Sequence, residues 1–315
     1  MVKEKETECT LNFCVFTIIF IYVFFFNMSC GKIKKDNKYS SFPFKLKNSR
    51  IVVSALLNNN YVNNFLVDTS IEEGIIIDFR LAKKADIKPI NADDFYYWIR
   101  KDPKSEYYTL ESFGFPGREF EDLNCFVTDL VILEKKLGER INGIIGSSFL
   151  KNFLMEFDFK HNMIHLYSEF PSSNREYIKV KLDKFPNSEN KRILTGVTDK
   201  NLITSFIFNT GSPVTIYPYI IAKELLKQGK ALQSHYIEIA GQEYSLLKIG
   251  TLTFNGFIMA KNRQVVYISP SKKEELPLKD ILLSGYGILG MDILGKGNWF
   301  LNLKDNYIAF CNALH

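Results

Sequence analysis

The feature that most constrains this chain is that it repeats itself. Phe65-Leu66-Val67-Asp68-Thr69-Ser70 returns as Phe206-Ile207-Phe208-Asn209-Thr210-Gly211, 141 positions later. Leu81-Ala82-Lys83 returns as Ile221-Ala222-Lys223 at an offset of 140, and Gly143-Ile144-Ile145-Gly146 as Gly287-Ile288-Leu289-Gly290 at 144. The run from Phe157 to Ile164 returns as Leu301 to Ile308, again at 144. Four matches in one order at near-constant spacing define two copies of one domain. A length of 315 residues can bury one large core or two medium ones.

Within each copy the periodicity is mostly that of strands. Ile51–Leu57 and Val62–Val67 are β-rich runs around Asn58-Asn59-Asn60, which predicts a hairpin. Met155–Phe159 and Met163–Tyr167 predict another around Lys160-His161-Asn162. Helices are brief: Phe79–Ala85, and Tyr217–Lys227 with Pro218 in its first turn and Gly229 just beyond. Short strands with few helices predict an all-β chain, a closed barrel or folded-over sheet in each copy. Asn262–Leu283, rich in Lys, Ser and Pro and confined to the second copy, reads as a surface loop. His161 and His165 read as hairpin residues, and five cysteines without a CxxC pair exclude a zinc ribbon. No metal or cofactor is expected.

The net charge of +5 is local. Residues 31–50 carry +6 and residues 1–29 carry −1, which leaves 51–315 neutral and without a basic face for nucleic acid. Leu11–Phe26 is almost wholly apolar, short for a bilayer span, and followed by Ser29-Cys30. This resembles a bacterial lipoprotein signal in which Cys30 becomes the acylated first residue, although Asn27 and three glutamates depart from that pattern. The other reading is an uncleaved anchor helix. Both place the folded part outside the cytoplasm on a membrane. Residues 30–49 read as a basic tether between that segment (1–29) and two lobes at 50–170 and 171–315.

An apolar strand running into Asp-Thr-Gly holds a carboxylate at a strand end, on a turn where a small third residue lets backbone approach. A second apolar strand ending in Gly, at Gly146 or Gly290, can pack beside that turn. Two such units about a twofold axis would bring two aspartates face to face. Like charges that close share one proton, so one member deprotonates water while the other protonates a carbonyl.

These motifs resemble those of retropepsin-like aspartic peptidases, over about residues 50–167 and 176–310. The resemblance implies two tandem acid-protease lobes, each a closed barrel, related by pseudo-twofold symmetry in a monomer that is its own pseudo-dimer. It implies an extended peptide or protein as substrate. It makes Asp68 the catalytic carboxylate, Thr69 and Thr210 the braces, and Ser70 and Gly211 the small turn residues. Asn209 takes the partner position, where the pattern requires aspartate.

That departure bears on function. An amide neither takes up nor releases a proton at working pH. Without like-charge repulsion Asp68 is expected to stay ionised, and loss of the general acid costs typically about 10²–10⁴ in rate. Two readings follow: an endopeptidase of reduced or unconventional chemistry, or a non-catalytic peptide-binding protein that keeps the cleft. Covering flaps are expected at Tyr236–Leu247, turning at Gly241-Gln242, and at Tyr107–Phe115 before Pro116-Gly117. Tyr107, Tyr108 and Tyr244 are either cleft or core residues. Cys125 and Cys311 remain after processing at Cys30.

Overall fold

The computed structural model describes residues 32–89, 106–171, 176–186, 188–227, 236–239, 242–268 and 285–311. The apolar leader, Cys30 and residues 269–284 of the second-copy insertion lie outside the described residues, whereas Asn262–Tyr267 continue the strand Phe257–Tyr267. Among the described residues no helix is long and apolar enough to cross a membrane.

The chain forms two closed six-strand barrels, one per copy. Lobe one opens with strands Arg50–Leu57 and Asn60–Asp68, joined by a two-residue turn. Asn58 and Asn59 both take positive φ, 45° and 63°, the geometry that such a tight hairpin requires and that asparagine tolerates. Lobe two makes the same hairpin from Arg192–Thr198 and Leu202–Phe208. Each hairpin's second strand is then flanked in parallel by the apolar-Gly strand: Phe65 opposes Gly143 and Asp68 opposes Gly146, while Phe206 opposes Gly287 and Phe208 opposes Leu289. A Cβ at Gly143 or Gly287 would strike the ring of Phe65 or Phe206, which explains glycine at both places. These central strands are buried on both faces and therefore read as unbroken apolar runs. The first helix, Phe79–Lys84, falls where the sequence puts it; the second is Tyr219–Lys227, with Tyr217 in the preceding strand Ile216–Tyr217.

A third sheet joins the lobes. Tyr177–Lys181, Tyr307–Cys311 and Trp299–Asn302 from lobe two continue into Leu154–Asp158 and Met163–Tyr167 from lobe one, and then into Tyr39–Lys47. Glu156 opposes Phe300 there, its own counterpart at the repeat offset of 144, so the pseudo-twofold axis passes between them. Trp299, fully buried, stacks on Phe157 at 4.2 Å and meets Phe208 edge-on at 5.5 Å. One apolar core thus runs through both lobes.

Residues 30–49 are not a tether where they are described. Lys32–Asp36 pairs with Arg118–Thr128, and Tyr39–Lys47 pairs with both Met163–Tyr167 and Arg50–Leu57. Exposed Pro43 and Lys45 alternate with buried Phe42 and Phe44, so a one-faced strand was masked by its solvent side. This segment is lobe one's counterpart of Tyr177–Lys184 in lobe two.

A site where two signature turns meet

Asp68 ends its strand, and the turn beyond it folds back against the apolar-Gly strand. Ser147 N donates to Ile71 O at 2.9 Å and Gly146 N to Gly74 O at 2.9 Å. The carboxylate is fixed by that same turn: Ser70 donates to Asp68 Oδ1 from its amide at 2.9 Å and from its hydroxyl at 2.7 Å. Lobe two holds Asn209 in the same manner. Gly211 N and Ser212 N donate to Asn209 Oδ1 at 2.7 and 3.0 Å. Because two N–H groups claim the oxygen, the free branch of the amide is Nδ2, a donor without acceptor capacity.

Thr69 and Thr210 sit between the turns, buried, and bond reciprocally. Thr69 N donates to Thr210 Oγ1 and Thr210 N to Thr69 Oγ1, both at 3.1 Å. Each hydroxyl then donates across the interface, Thr69 Oγ1 to Phe208 O at 3.0 Å and Thr210 Oγ1 to Val67 O at 2.9 Å. The two turns also touch directly. A Cβ on Gly211 would lie 1.9 Å from Asp68 Oδ2, so the carboxylate rests on the bare Cα of lobe two's turn. The structure therefore brings Asp68, Thr69, Ser70, Thr210 and Gly211 together, with Asn209 held on the lobe-two side of the same junction.

Asp68 keeps some accessible surface but is densely surrounded by protein. Desolvation by burial pushes its carboxyl above the ordinary range; the Ser70 hydroxyl and amide, the field of Arg50 and the Ile71 amide oppose this. With no like-charge neighbour at position 209, burial remains as a cause of a raised Asp68 pKa. Burial supplies the upward push that like-charge repulsion would supply in a pair of aspartates.

Arg50 is the residue that sequence reading missed, having been counted only in the +6 charge of residues 31–50. It opens lobe one's first strand, and its Nε donates to Gly211 O at 2.8 Å while Nη1 donates to Asn48 O at 3.2 Å. Burial pulls its pKa down, opposed by the fields of Asp68 and of Tyr244 from the strand Gln242–Phe254. An arginine nevertheless stays cationic. The only sequence signal was a basic residue at the first position of a barrel strand, and no local pattern reveals a partner in the other copy.

The expected flaps are placed as follows. Tyr236–Ile239 pairs with the start of Gln242–Phe254, with Ile239 opposite Gln242; the turn itself, including Gly241, lies outside the described residues. In lobe one the topological counterpart of that hairpin joins Lys88–Pro89 to Glu106–Phe115, with residues 90–105 between them outside the described set. Pro116-Gly117 instead closes the hairpin whose Gly114 lies opposite Leu56, at the end of the barrel remote from Asp68. The flap placed at that turn is therefore corrected. Tyr107 packs on Phe126, Tyr108 joins the main core, and Tyr244 is half-buried against the Ile216 cluster. His161 lies in its predicted turn with Nδ1 2.7 Å from Asp158 Oδ2, and His165 bonds Tyr39. Cys125 and Cys311 are both free thiols, and burial pushes the Cys125 thiol up to about 12.

No family model and no curated protein matches this chain. Among solved structures, basic 7S globulin from soybean is similar over 89% of this chain and 95% of its own, at 7% identity and a TM-score of 0.50. A retropepsin-like aspartic protease from Rickettsia conorii aligns with 43% of this chain and 95% of its own, at 21% identity and a TM-score of 0.29. The chain has the acid-protease fold, as two tandem closed-barrel lobes.

Proposed function

We propose that this protein is a non-catalytic peptide-binding protein built on the acid-protease fold, held on the outer side of a membrane by its amino-terminal segment and acting as a monomer. The observation that carries the reading is Asn209. Its oxygen is committed to Gly211 N and Ser212 N, so the remaining polar atom of the amide offers only N–H. Asp68 can accept a proton from water, but no second carboxyl stands across the axis to protonate a scissile carbonyl. Positioning is retained, since the threonine brace and the turns that orient a cleft are intact. A site that holds its shape and lacks its acid supports binding without turnover. The intramolecular brace also supports a monomer, because tethered lobes have a high effective concentration for each other.

A second reading, an endopeptidase of reduced activity, is favoured by the burial of Asp68, which pushes its pKa upward as a second carboxylate would. Peptide capture tests the main proposal. The full chain, purified in detergent, is equilibrated with randomised apolar peptides and the retained fraction is identified by mass spectrometry. Specific retention is expected, and its absence would overturn the binding reading. For the anchor, mass spectrometry of the native protein is expected to show a lipid-modified Cys30 terminus; an intact Met1 would leave the uncleaved helix.

A further inference from the structure

The two hairpin registers fix which residues are twins. Val53 opposes Phe65 in lobe one and Leu194 opposes Phe206 in lobe two, an offset of 141. Carried along both strands, that offset makes Arg50 the twin of Lys191 and Glu72 the twin of Pro213. One diagonal of this square is an ion pair across the lobe interface. Lys191 Nζ lies 3.4 Å from Glu72 Oε1, which also accepts from Ser188 Oγ at 2.8 Å. The pseudo-twofold copy of that pair would join Arg50 to residue 213, where a proline stands.

Arg50 is therefore a half-buried cation beside the signature turns, and among the described residues it forms no ion pair with a carboxylate. Its hydrogen bonds go to two neutral carbonyls, Gly211 O and Asn48 O, which orient the guanidinium without neutralising it. Asp68 feels its field but makes no ion pair with it. A partly desolvated charge without an ion-pair contact is costly and favours any anion that can reach it. The arginine fork suits a carboxylate through paired N–H donors. The carbonyl that holds Nε belongs to Gly211, the residue on which Asp68 rests, so such an anion would lie beside the signature turns.

We propose that Arg50 is a carboxylate-anchoring subsite, and that the peptides this cleft takes carry a carboxylate there, either an acidic side chain or a free C-terminus. This rests on the peptide-binding reading and narrows its ligand class. The test compares three randomised peptide pools on the full chain: one amidated with a fixed Glu, one amidated with Gln in its place, and the Gln pool with a free C-terminus. Wild type should bind one acidic pool about tenfold tighter than the amidated Gln pool, and which one wins identifies the source of the carboxylate. Arg50→Gln should erase the preference and Arg50→Lys should keep part of it. Because Arg50→Gln also removes a cross-lobe hydrogen bond, Pro213→Glu is the independent check. It leaves the guanidinium in place, gives it the internal partner that its twin has, and should erase the preference as well. Equal binding of all three pools by wild type, or a preference that survives both Arg50→Gln and Pro213→Glu, would overturn the subsite while leaving the binding reading standing. Retention of no pool overturns the reading itself, and the subsite with it.

Discussion

The two signature turns are built to one plan around a shared threonine, and three of the positions at which they differ bear on the site. Lobe one has Asp68, Ser70 and Glu72; lobe two has Asn209, Gly211 and Pro213. What the lobes share is geometry: the threonine that braces the other lobe, the oxygen held by its own turn, and the apolar strand ending in glycine. What they do not share is charge. At these three positions lobe one carries two carboxylates and lobe two none, while each lobe has a basic twin, Arg50 and Lys191. The geometry is thus symmetric while the charge is one-sided, and the proposed function rests on that difference.

The largest effect is expected where the comparison is most lopsided. Asn209→Asp restores the second carboxyl on an intact frame, and peptide cleavage followed by mass spectrometry should rise by about 10²–10⁴ over wild type. The same substitution in an Asp68→Ala background should stay silent, since one carboxyl cannot serve as base and acid together. Failure of Asn209→Asp to gain any activity would mean that something besides charge separates the lobes.

Next in size is the shared part. Thr69→Val and Thr210→Val each remove a hydroxyl that donates once and accepts once across the interface, stranding a buried amide. Each should cost about 2–3 kcal/mol in urea unfolding, and by similar amounts. A large difference between them would break the symmetry claimed for the brace.

A smaller effect should appear as pH dependence. Burial holds the folded Asp68 pKa above its unfolded value, so the folded protein binds that proton more tightly than the unfolded chain. The carboxyl therefore favours folding below its unfolded pKa of about 4, and this contribution is lost as pH rises through the folded value. Asp68→Asn, which keeps an acceptor for Ser70 and makes lobe one resemble lobe two, should raise the urea midpoint at neutral pH. That gain should fade toward about pH 4. Smallest is Ser70→Gly, which removes a hydroxyl bond that pulls the Asp68 pKa down. Carboxyl NMR should show Asp68 titrating higher than in wild type, and an unchanged or lowered value would show that the hydroxyl does not stabilise the charged form.

Much of this architecture was legible because a repeat doubles every weak signal. Asp-Thr-Ser alone says little, yet in register with Asn-Thr-Gly and two Gly-flanked strands it specifies lobes, strand order and interface. The misreadings have physical causes. Tyr39–Lys47 pairs on both sides and buries Phe42 and Phe44, but its exposed lysines give it the composition of a linker. Copy two's equivalent, Tyr177–Lys184, was already inside the repeat, so comparing the copies at their starts would have found it. The lobe-one flap was placed at Pro116-Gly117 because a tight turn is conspicuous in sequence, whereas its distance from Asp68 is set by pairing with Leu56. Arg50 was invisible for a different reason. Its meaning depends on Pro213 being the twin of Glu72, a relation that exists only once the registers are known.

The central claim is that the site binds without cutting because Asn209 stands where a second aspartate is required, and wild-type turnover tests it most directly. The full chain and its Asp68→Ala variant are incubated with randomised apolar peptides across about pH 3–7, and fragments are counted by mass spectrometry. The account predicts that peptides are retained intact and that wild type yields no more fragments than Asp68→Ala. Cleavage by wild type that Asp68→Ala abolishes would contradict it, and would show that a single carboxyl in this frame suffices for turnover.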